Sequence, residues 1–384
     1  MGHPHRTTSI KVKTLSSIER NPVVESAVGI QGEVSNENLS ASNRVRSMGI
    51  YHAIGKSRSE HILNAIHNKN SIWRGKSLIG MDAVSAEQMH LALDTAALVK
   101  SLHRARHNGL RFNYPSTLAL LFEKPSLRTR TSFEAGMAQM SGSVVYLAPA
   151  DVGLGTRESV ADVAGSLSRW VDAIAARVFS HHTVEELDKH ATVPVINALS
   201  DREHPLQMFA DMLTIQEHIG KLSSNIKIAY VGDGNNVLHS LILTCARLGV
   251  NLSVACPEGY EPDPWFLEEA NRIVTAEKTG SVIEIVTDPV QAVKDASVIY
   301  TDVWASMGQE AEAAARRVVF APYSITTSLL AAARPDAIAM HCLPAHRGEE
   351  ISAEVMDLHK AVILDQAENR LHTQKALLLL MLGV

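Results

Sequence analysis

Short apolar runs alternate with longer amphipathic stretches from residue 72 to the end of the chain. In the longer stretches apolar residues recur every three or four positions, which predicts helices; at 128–141 they are Phe133, Met137 and Met140. The short runs predict β-strands at residues 117–122, 144–147, 173–178, 193–197, 227–231, 251–255, 282–286, 298–301 and 337–341. Continuously apolar strands that alternate with helices indicate parallel sheets covered on both faces.

This order predicts an α/β protein with two halves that meet at a helix around residues 206–218. Each half is expected to contain a doubly wound parallel sheet. In open sheets of this kind ligands bind beyond the carboxyl ends of the strands. Residues that carry chemistry are therefore expected just after the predicted strands.

Residues 1–70 have a different character, because they are polar and no strand pattern persists in them. We expect a poorly ordered extension with one short helix at 56–68. The first eighteen residues contain basic side chains and no acid, as organelle transit peptides do, although Glu19 and Glu25 follow soon after. No basic start leads into an apolar core, so we expect no secretory signal.

The composition is that of a globular protein, and it excludes several classes of protein. Of 384 residues, 36 are Lys or Arg and 41 are Asp or Glu, so the net charge of −5 lacks the basic surface of a nucleic-acid-binding protein. No apolar run reaches the length of a membrane span. Three widely spaced cysteines give neither a disulfide framework nor a zinc pattern, and they favour a reducing compartment. We expect a cytoplasmic protein, or a mitochondrial one if residues 1–70 include a transit peptide.

The first motif, EKPSLRTR, follows the strand predicted at 117–122. Ser126 stands where a helix N-cap belongs, and Thr129 comes three residues later. A helix start offers free N–H groups and the positive end of the helix dipole, and the guanidiniums of Arg128 and Arg130 add charge. An ordinary capped helix with surface ion pairs is the alternative, but the combination favours a phosphate site.

Later strand ends carry further polar residues, each with an ordinary structural alternative. Arg177 ends a strand and could simply reach solvent, His204 could be a surface histidine, and Asp302 could cap a helix. The loop GDGNN before a helix looks like a dinucleotide-binding loop, but Val237 stands where the third glycine belongs. Cys342 could be a small apolar filler.

Together, however, the motifs resemble those of the aspartate/ornithine carbamoyltransferase family. FEKPSLRTRTSFE resembles its phosphate signature Ser-Thr-Arg-Thr-Arg, with Leu127 in place of the first Thr. That exchange is tolerated if the position binds phosphate through its main-chain N–H, and it lowers affinity if the hydroxyl is needed. DREHPLQ, VGDGNN, TDVWASMG, HCLPAHRGEE and DQAENR follow in the family's order over residues 72–384. The loop after the second strand lacks the family's usual Gln at Gly153, and in the family this loop reaches a neighbouring subunit.

The resemblance implies one site for each of two substrates. Arg177, His204 and Thr129 polarise the carbamoyl oxygen of carbamoyl phosphate, and Gln207 holds its nitrogen. The implied carbamoyl-phosphate site consists of Ser126, Leu127, Arg128, Thr129, Arg177, His204, Gln207, Cys342, Leu343 and Arg370. The implied ornithine site consists of Asn236, Asp302, Ser306 and Met307. Arg177, His204, Asp302 and Cys342 are the implied catalytic residues, and the family's aspartate enzymes carry Pro where Cys342 stands.

The family further implies a carbamoyl-phosphate domain at 71–205, an ornithine domain at 206–362 and, at 363–384, a C-terminal helix that returns to the first domain. The assembly is expected to be a homotrimer or a multiple of trimers. The reaction converts carbamoyl phosphate and L-ornithine into L-citrulline and phosphate, and it requires no metal or organic cofactor.

Three alternatives stay open at this stage. The amine could be N-acetylornithine or putrescine, although the carboxylate site implied for Met307 favours a free amino acid. The chain could be a carbamoyl-phosphate-binding protein without catalytic activity. It could also be a nicotinamide-dependent oxidoreductase.

Overall fold

The computed structural model describes residues 56–106, 109–305 and 310–383. Most of the predicted extension, residues 1–55, therefore lies outside the described part of the chain. Its predicted helix at 56–68 is present as Lys56–His67. No helix within the described residues is both long enough and apolar enough to cross a membrane.

Nine described strands form two parallel sheets, as the alternating pattern predicts. The strands are β1 Thr117–Phe122, β2 Ser143–Leu147, β3 Ala173–Arg177, β4 Val195–Leu199, β5 Lys227–Val231, β6 Asn251–Ala255, β7 Ile283–Val286, β8 Val298–Thr301 and β9 Ile338–His341. The first sheet has the order β2-β1-β3-β4 and the second the order β7-β6-β5-β8-β9. Strand β3 is buried throughout and β5 is buried except at Lys227, whereas the edge strands β2 and β7 are partly exposed.

Helices connect the strands and cover both sheets. They are α1 Lys56–His67, α2 Ala86–Arg104, α3 Leu127–Gln139, α4 Pro149–Val152, α5 Val160–Leu167, α6 His181–His190, α7 Pro205–His218, α8 Asn236–Leu248, α9 Pro264–Glu277, α10 Pro289–Val293, α11 Ala313–Phe320, α12 Thr327–Ala331, α13 Ala353–Leu358 and α14 Lys360–Leu382. Short 3₁₀ turns at Glu310–Glu312 and Ala321–Tyr323 flank α11.

Each sheet has one point where the strand order reverses. In the first sheet β1 lies between β2 and β3, and in the second β5 lies between β6 and β8. The loops that follow two such neighbouring strands leave the sheet in opposite directions, which opens a crevice at their carboxyl ends. The motifs after β1, β3, β5 and β8 lie at these two crevices.

Element ends differ from the prediction by a few residues. β4 pairs with β3 from Val195 onward, two residues later than predicted, because Pro194 precedes it and has no N–H to donate. The last helix begins at Lys360, not at the motif DQAENR, because no glycine or proline stops it from extending toward its N-terminus. Arg370 therefore lies well inside α14.

Helix α14 joins the two halves. It packs against α2, α3 and α7 on the first sheet's side and against β9 of the second sheet. Its side chains from Ala376 to Met381 are almost completely buried in the main hydrophobic core. Because this helix carries Arg370, the packing also fixes one side of the candidate site.

We expect Leu379→Ala to lower the free energy of unfolding by about 2–5 kcal/mol, because Leu379 is fully buried and its removal leaves a cavity. Urea denaturation measures the change. Leu364→Ala on the same helix is the control, since Leu364 is 53% exposed and its loss is expected to change stability by about 0.5 kcal/mol or less. Equal effects of the two substitutions would contradict the described packing of α14.

Candidate active site

The N-terminus of α3 lies at the crevice of the first sheet. Ser126 caps the helix, and its hydroxyl accepts a hydrogen bond from the main-chain N–H of Thr129 at 3.3 Å. The Leu127 side chain is 76% exposed, so this residue can offer an anion only its main-chain N–H. Arg130 pairs instead with Glu134 at 2.8 Å. Of the two guanidiniums expected to bind an anion at this helix start, only that of Arg128 is therefore left.

Arg177 ends β3 beside β1 and does not reach solvent, which excludes the surface alternative. Its residue is 7% exposed, and its Nε has no hydrogen-bond partner among the described residues. Burial, together with the nearby charge of Arg128, lowers the pKa of Arg177 to about 10. A buried guanidinium next to a second one favours binding of an anion.

His204 precedes α7 and is also buried rather than on the surface. Burial, followed by the charges of Arg370 and Arg177, holds the pKa of His204 well below its usual value. Its imidazole is therefore neutral at pH 7 and still carries one N–H for donation. Nδ1 has no hydrogen-bond partner within the described chain.

Arg370 connects α14 to both helices that border the first crevice. One of its terminal nitrogens donates to Gln207 Oε1 at 2.7 Å, and the other donates to Thr129 Oγ1 at 3.2 Å. Burial lowers the pKa of Arg370 to about 10, and Arg177 adds to this effect. Arg370 thus lies within electrostatic range of the other cations, as its predicted role requires.

Asp211 is a buried group at this site that the sequence analysis missed. Its Oδ1 accepts hydrogen bonds from Gln207 at 2.8 Å and from Gln366 at 2.7 Å, and its Oδ2 accepts one from Tyr300 at 2.8 Å. Burial raises the pKa of Asp211 to about 6. These bonds orient the Gln207 amide so that its oxygen faces Arg370. Asp211 lies one helical turn after Gln207, and this spacing is the only signal of it in the sequence.

Asp302 and Cys342 meet at the crevice of the second sheet, between the ends of β8 and β9. The Cys342 thiol donates to Asp302 Oδ1 at 2.9 Å, and Asn235 Nδ2 donates to Asp302 Oδ2 at 2.9 Å. Burial and the adjacent Asp302 raise the pKa of Cys342 well above its usual value, so the sulfur stays protonated. Ser306 and Met307, predicted for the same site, lie outside the described residues.

The loop GDGNN does not form a dinucleotide site. A Cβ on Gly234 would lie 2.3–2.5 Å from the main chain of Glu261 and Pro262, so this glycine allows two loops to pack. Asn235 caps α8 by accepting from the N–H groups of Val237 and Leu238, which occupies the helix start. Asn236, the predicted ornithine ligand, donates its amide to the Ser200 carbonyl at 2.6 Å.

The turn after β9 is held by a buried imidazole. His341 Nε2 donates to Glu350 at 3.0 Å, and its Nδ1 accepts from the Leu343 N–H at 2.9 Å. A cis peptide bond follows, between Leu343 and Pro344. Asp302, His341 and Cys342 lie close enough together to suggest a metal site, but both nitrogens of His341 are already engaged. The donor set therefore does not favour a metal.

Several predicted residues from the two halves lie within electrostatic range of one another. The charge of Asp302 acts on Arg128, and the charges of Arg177 and Arg128 act on Arg370. None of these three guanidiniums forms an ion pair with a carboxylate of the described chain. A cluster of cations of this kind, facing a carboxylate and a thiol, can bind a doubly charged phosphate beside an amine.

Comparison with known proteins agrees with this arrangement. Residues 76–217 match the family model for the carbamoyl-P binding domain of aspartate/ornithine carbamoyltransferase. Residues 224–381 match the model for the Asp/Orn binding domain of the same family. The two matches together cover most of the described chain.

Several curated and solved relatives are similar over the same region. The chain is 50% identical over 311 residues to an ornithine carbamoyltransferase of Thermococcus kodakarensis, covering 80% of this chain and 97% of that one. The crystal structure of the Pyrococcus furiosus ornithine carbamoyltransferase superposes with a TM-score of 0.77 at 50% identity, covering 80% and 97% of the two chains. A mitochondrial ornithine carbamoyltransferase of Coccidioides immitis is 33% identical with a TM-score of 0.71, covering 79% and 96%. The chain thus belongs to the aspartate/ornithine carbamoyltransferase family.

Proposed function

We propose that this chain is an ornithine carbamoyltransferase, which transfers the carbamoyl group of carbamoyl phosphate to the side-chain amine of L-ornithine. The observation that supports the proposal is the proximity of Arg128, Arg177, His204 and Arg370 to one another, with the hydrogen-bonded pair of Asp302 and Cys342 close to Arg128. Relatives about 50% identical over most of the chain carry this name. Neither the nicotinamide alternative nor a purely binding role is favoured.

The phosphate end of carbamoyl phosphate is assigned to the start of α3. The main-chain N–H groups after Ser126, including that of Leu127, and the guanidinium of Arg128 supply donors and positive charge to its oxygens. The hydroxyl of Thr129 stands in the same turn and is already oriented by Arg370. Leu127 lacks the usual hydroxyl, so its N–H alone makes this contact.

The carbamoyl end is assigned to Arg177, His204, Thr129 and Gln207. Negative charge develops on the carbamoyl oxygen as the amine attacks, and donors fixed around that oxygen stabilise the transition state. Each such donor lowers the free energy of the transition state by about 3–4 kcal/mol. Gln207 Oε1 has a second lone pair for the carbamoyl NH₂, and Leu343 and Cys342 border the same group from the turn after β9.

The ornithine end is assigned to the second crevice. By the family resemblance, Asp302 and Ser306 are assigned to the side-chain amine and the main-chain N–H of Met307 to the α-carboxylate. Asn236, at the start of α8, is assigned to the same substrate. Putrescine lacks the α-carboxylate, and N-acetylornithine has a blocked α-amine. Each would therefore make fewer of these contacts than L-ornithine. We therefore propose free L-ornithine as the acceptor.

The transfer itself needs no group beyond these side chains and the substrates. The neutral amine attacks the carbamoyl carbon, the bond from that carbon to the bridging oxygen breaks, and phosphate leaves with its electron pair. The departing phosphate accepts the proton that the amine loses, which gives citrulline and hydrogen phosphate. An amine of this type has an ordinary pKa of about 10.4, so its ammonium form must lose a first proton before it attacks. The Asp302 carboxylate, which accepts a hydrogen bond from the Cys342 thiol, is assigned to bind and orient the amine and to accept that first proton.

We further propose the domain division at residues 70, 205 and 362 and a homotrimer or a multiple of trimers as the assembly. The proposed compartment is the cytoplasm, or the mitochondrion if residues 1–70 include a transit peptide. By the family resemblance, the loop at 153–158 is the segment assigned to contact a neighbouring subunit, and it carries Gly153 where the family usually has Gln.

A citrulline assay with purified protein tests the proposal directly. L-Ornithine, N-acetylornithine and putrescine are compared at equal concentration with saturating carbamoyl phosphate. We expect turnover with ornithine to exceed that with either alternative by about 10- to 100-fold, because the loss of a charged contact costs about 1.5–3 kcal/mol. Preferred turnover of another amine would contradict the assigned substrate, and no product with any amine would contradict the assigned activity.

A further inference from the structure

A buried hydrogen-bond chain connects His204 to the second half of the molecule. The main-chain N–H of His204 donates to Ser240 Oγ at 2.9 Å, and the Ser240 hydroxyl donates to Glu203 Oε2 at 3.0 Å. The same carboxylate oxygen accepts from the Met81 N–H at 2.9 Å. Ser240 lies on α8, which begins at the ornithine crevice, so the chain of bonds spans both halves.

All parts of this chain are shielded from water. Ser240 is 0% exposed, Glu203 2% and His204 6%. A Cβ on Gly80 would lie only 2.4 Å from Glu203 Oε1, so the segment before α2 closely covers the carboxyl group. A hydrogen bond lost here cannot be replaced by solvent, and the group left unpaired bears the full cost of its burial.

His204 has a particular need for this partner. It stands at the N-cap position of α7, where the main-chain N–H takes no part in the helix's own hydrogen bonds. Its main-chain angles, φ −132° and ψ 65°, are not helical. The Ser240 hydroxyl therefore fixes the main chain at the residue whose imidazole faces Arg177 and Arg370.

Glu203 determines the direction of the Ser240 hydroxyl. Because the carboxyl oxygen accepts the hydroxyl hydrogen, a lone pair of Ser240 Oγ is left to face the His204 N–H. Burial raises the pKa of Glu203 to about 7, and Asp82 adds to this effect while Arg202 opposes it. Oε2 can accept hydrogen bonds in either protonation state, so the arrangement persists through neutral pH.

We propose that Ser240 and Glu203 are positioning residues for carbamoyl transfer, which hold His204 in place from the half of the molecule that binds the amine. Neither residue touches the assigned substrate positions. The proposal rests on the proposed function of His204. It implies that the amine-binding half contributes to polarisation of the carbamoyl oxygen through this chain of bonds.

The decisive variant is Ser240→Ala, which removes the hydroxyl with little change in volume. We expect kcat to fall about 10-fold, the loss typical of one buried hydrogen bond, while the KM for ornithine changes less than 2-fold. Ser240→Thr retains the hydroxyl and is expected to restore most of kcat. Ser253→Ala is the matched control, because Ser253 is 0% exposed, lies on β6 in the same half and has a hydroxyl that bonds to none of the described residues.

A double-mutant cycle with His204→Ala separates positioning from a general structural effect. If Ser240 acts through His204, adding Ser240→Ala to His204→Ala lowers kcat less than 2-fold further. The proposal would be overturned if the two substitutions acted independently, so that their losses of kcat multiplied. It would also be overturned if the kcat of Ser240→Ala equalled that of Ser253→Ala. A wild-type protein that makes no citrulline contradicts the proposed function, whereas an active wild type with an unaffected Ser240→Ala variant contradicts only this inference.

Substitution of Glu203 keeps the test decisive if Ser240→Ala does not fold. Glu203→Gln retains a neutral acceptor oxygen and is expected to keep kcat within about 3-fold of wild type. Glu203→Leu has similar size but no acceptor, and it is expected to lower kcat about 10-fold. Equal kcat values for the two variants would overturn the proposal.

Discussion

Arg128→Ala is expected to abolish measurable binding of carbamoyl phosphate. Arg128 supplies the guanidinium at the start of α3, and its forked donors fit two phosphate oxygens at once. Loss of two charge-assisted hydrogen bonds costs about 3 kcal/mol or more, which lowers affinity at least about 100-fold. Calorimetry with phosphonoacetamide, a stable analogue in which a methylene group replaces the bridging oxygen, measures this loss without turnover.

Arg130→Ala is the matched control for this experiment. Arg130 is in the same helical turn, but it pairs with Glu134 and its guanidinium lies over the ring of Tyr146. We expect its removal to change affinity no more than about 3-fold, as for an exposed ion pair. Retained affinity in Arg128→Ala, or equal losses in the two variants, would show that α3 is not the phosphate site.

Asp302→Ala is expected to remove turnover of ornithine while leaving affinity for phosphonoacetamide within about 2-fold of wild type. The carboxylate is assigned to the amine, and truncating one member of a buried, hydrogen-bonded charged pair costs about 3–4 kcal/mol. The value of kcat/KM for ornithine should therefore fall about 10²- to 10³-fold. Steady-state citrulline formation and calorimetry measure the two quantities separately.

Two further variants separate charge from packing at this position. Asp302→Asn keeps the shape and an acceptor for the Cys342 thiol, yet it lacks the charge and should lose nearly as much turnover. Asp336→Asn, at an exposed position whose carboxylate pairs with Arg334, should behave as wild type. A normal rate with ornithine in Asp302→Asn would reject the role assigned to this carboxylate.

The sheets were predictable from the sequence because their signal is local. Buried parallel strands are largely apolar, and the pattern locates β1, β5, β6 and β8 at the residues where they occur. Strand ends depend instead on pairing, so the start of β4 is displaced by two residues next to Pro194. The start of α14 was missed because no glycine or proline marks it.

The site was predictable only as a set of motifs. Taken singly, Arg177 and His204 are compatible with exposed surface positions, and only the fold shows that both are buried beside Arg370. Asp211 was missed because two of its three partners, Tyr300 and Gln366, are remote in sequence. Ser240 was missed because both His204 and Glu203 are remote from it. Asn235 was overlooked in favour of Asn236, although an Asn just before an apolar helix is a known N-cap signal.

The convergence of both halves on one carbamoyl group is tested most directly by a crystal structure with phosphonoacetamide bound. We predict that its phosphonate lies at the start of α3 within about 3 Å of the Arg128 guanidinium, and that its carbonyl oxygen lies at a similar distance from donors of Arg177 and His204. A phosphonate bound elsewhere, or a carbonyl oxygen directed away from these two side chains, would contradict the account.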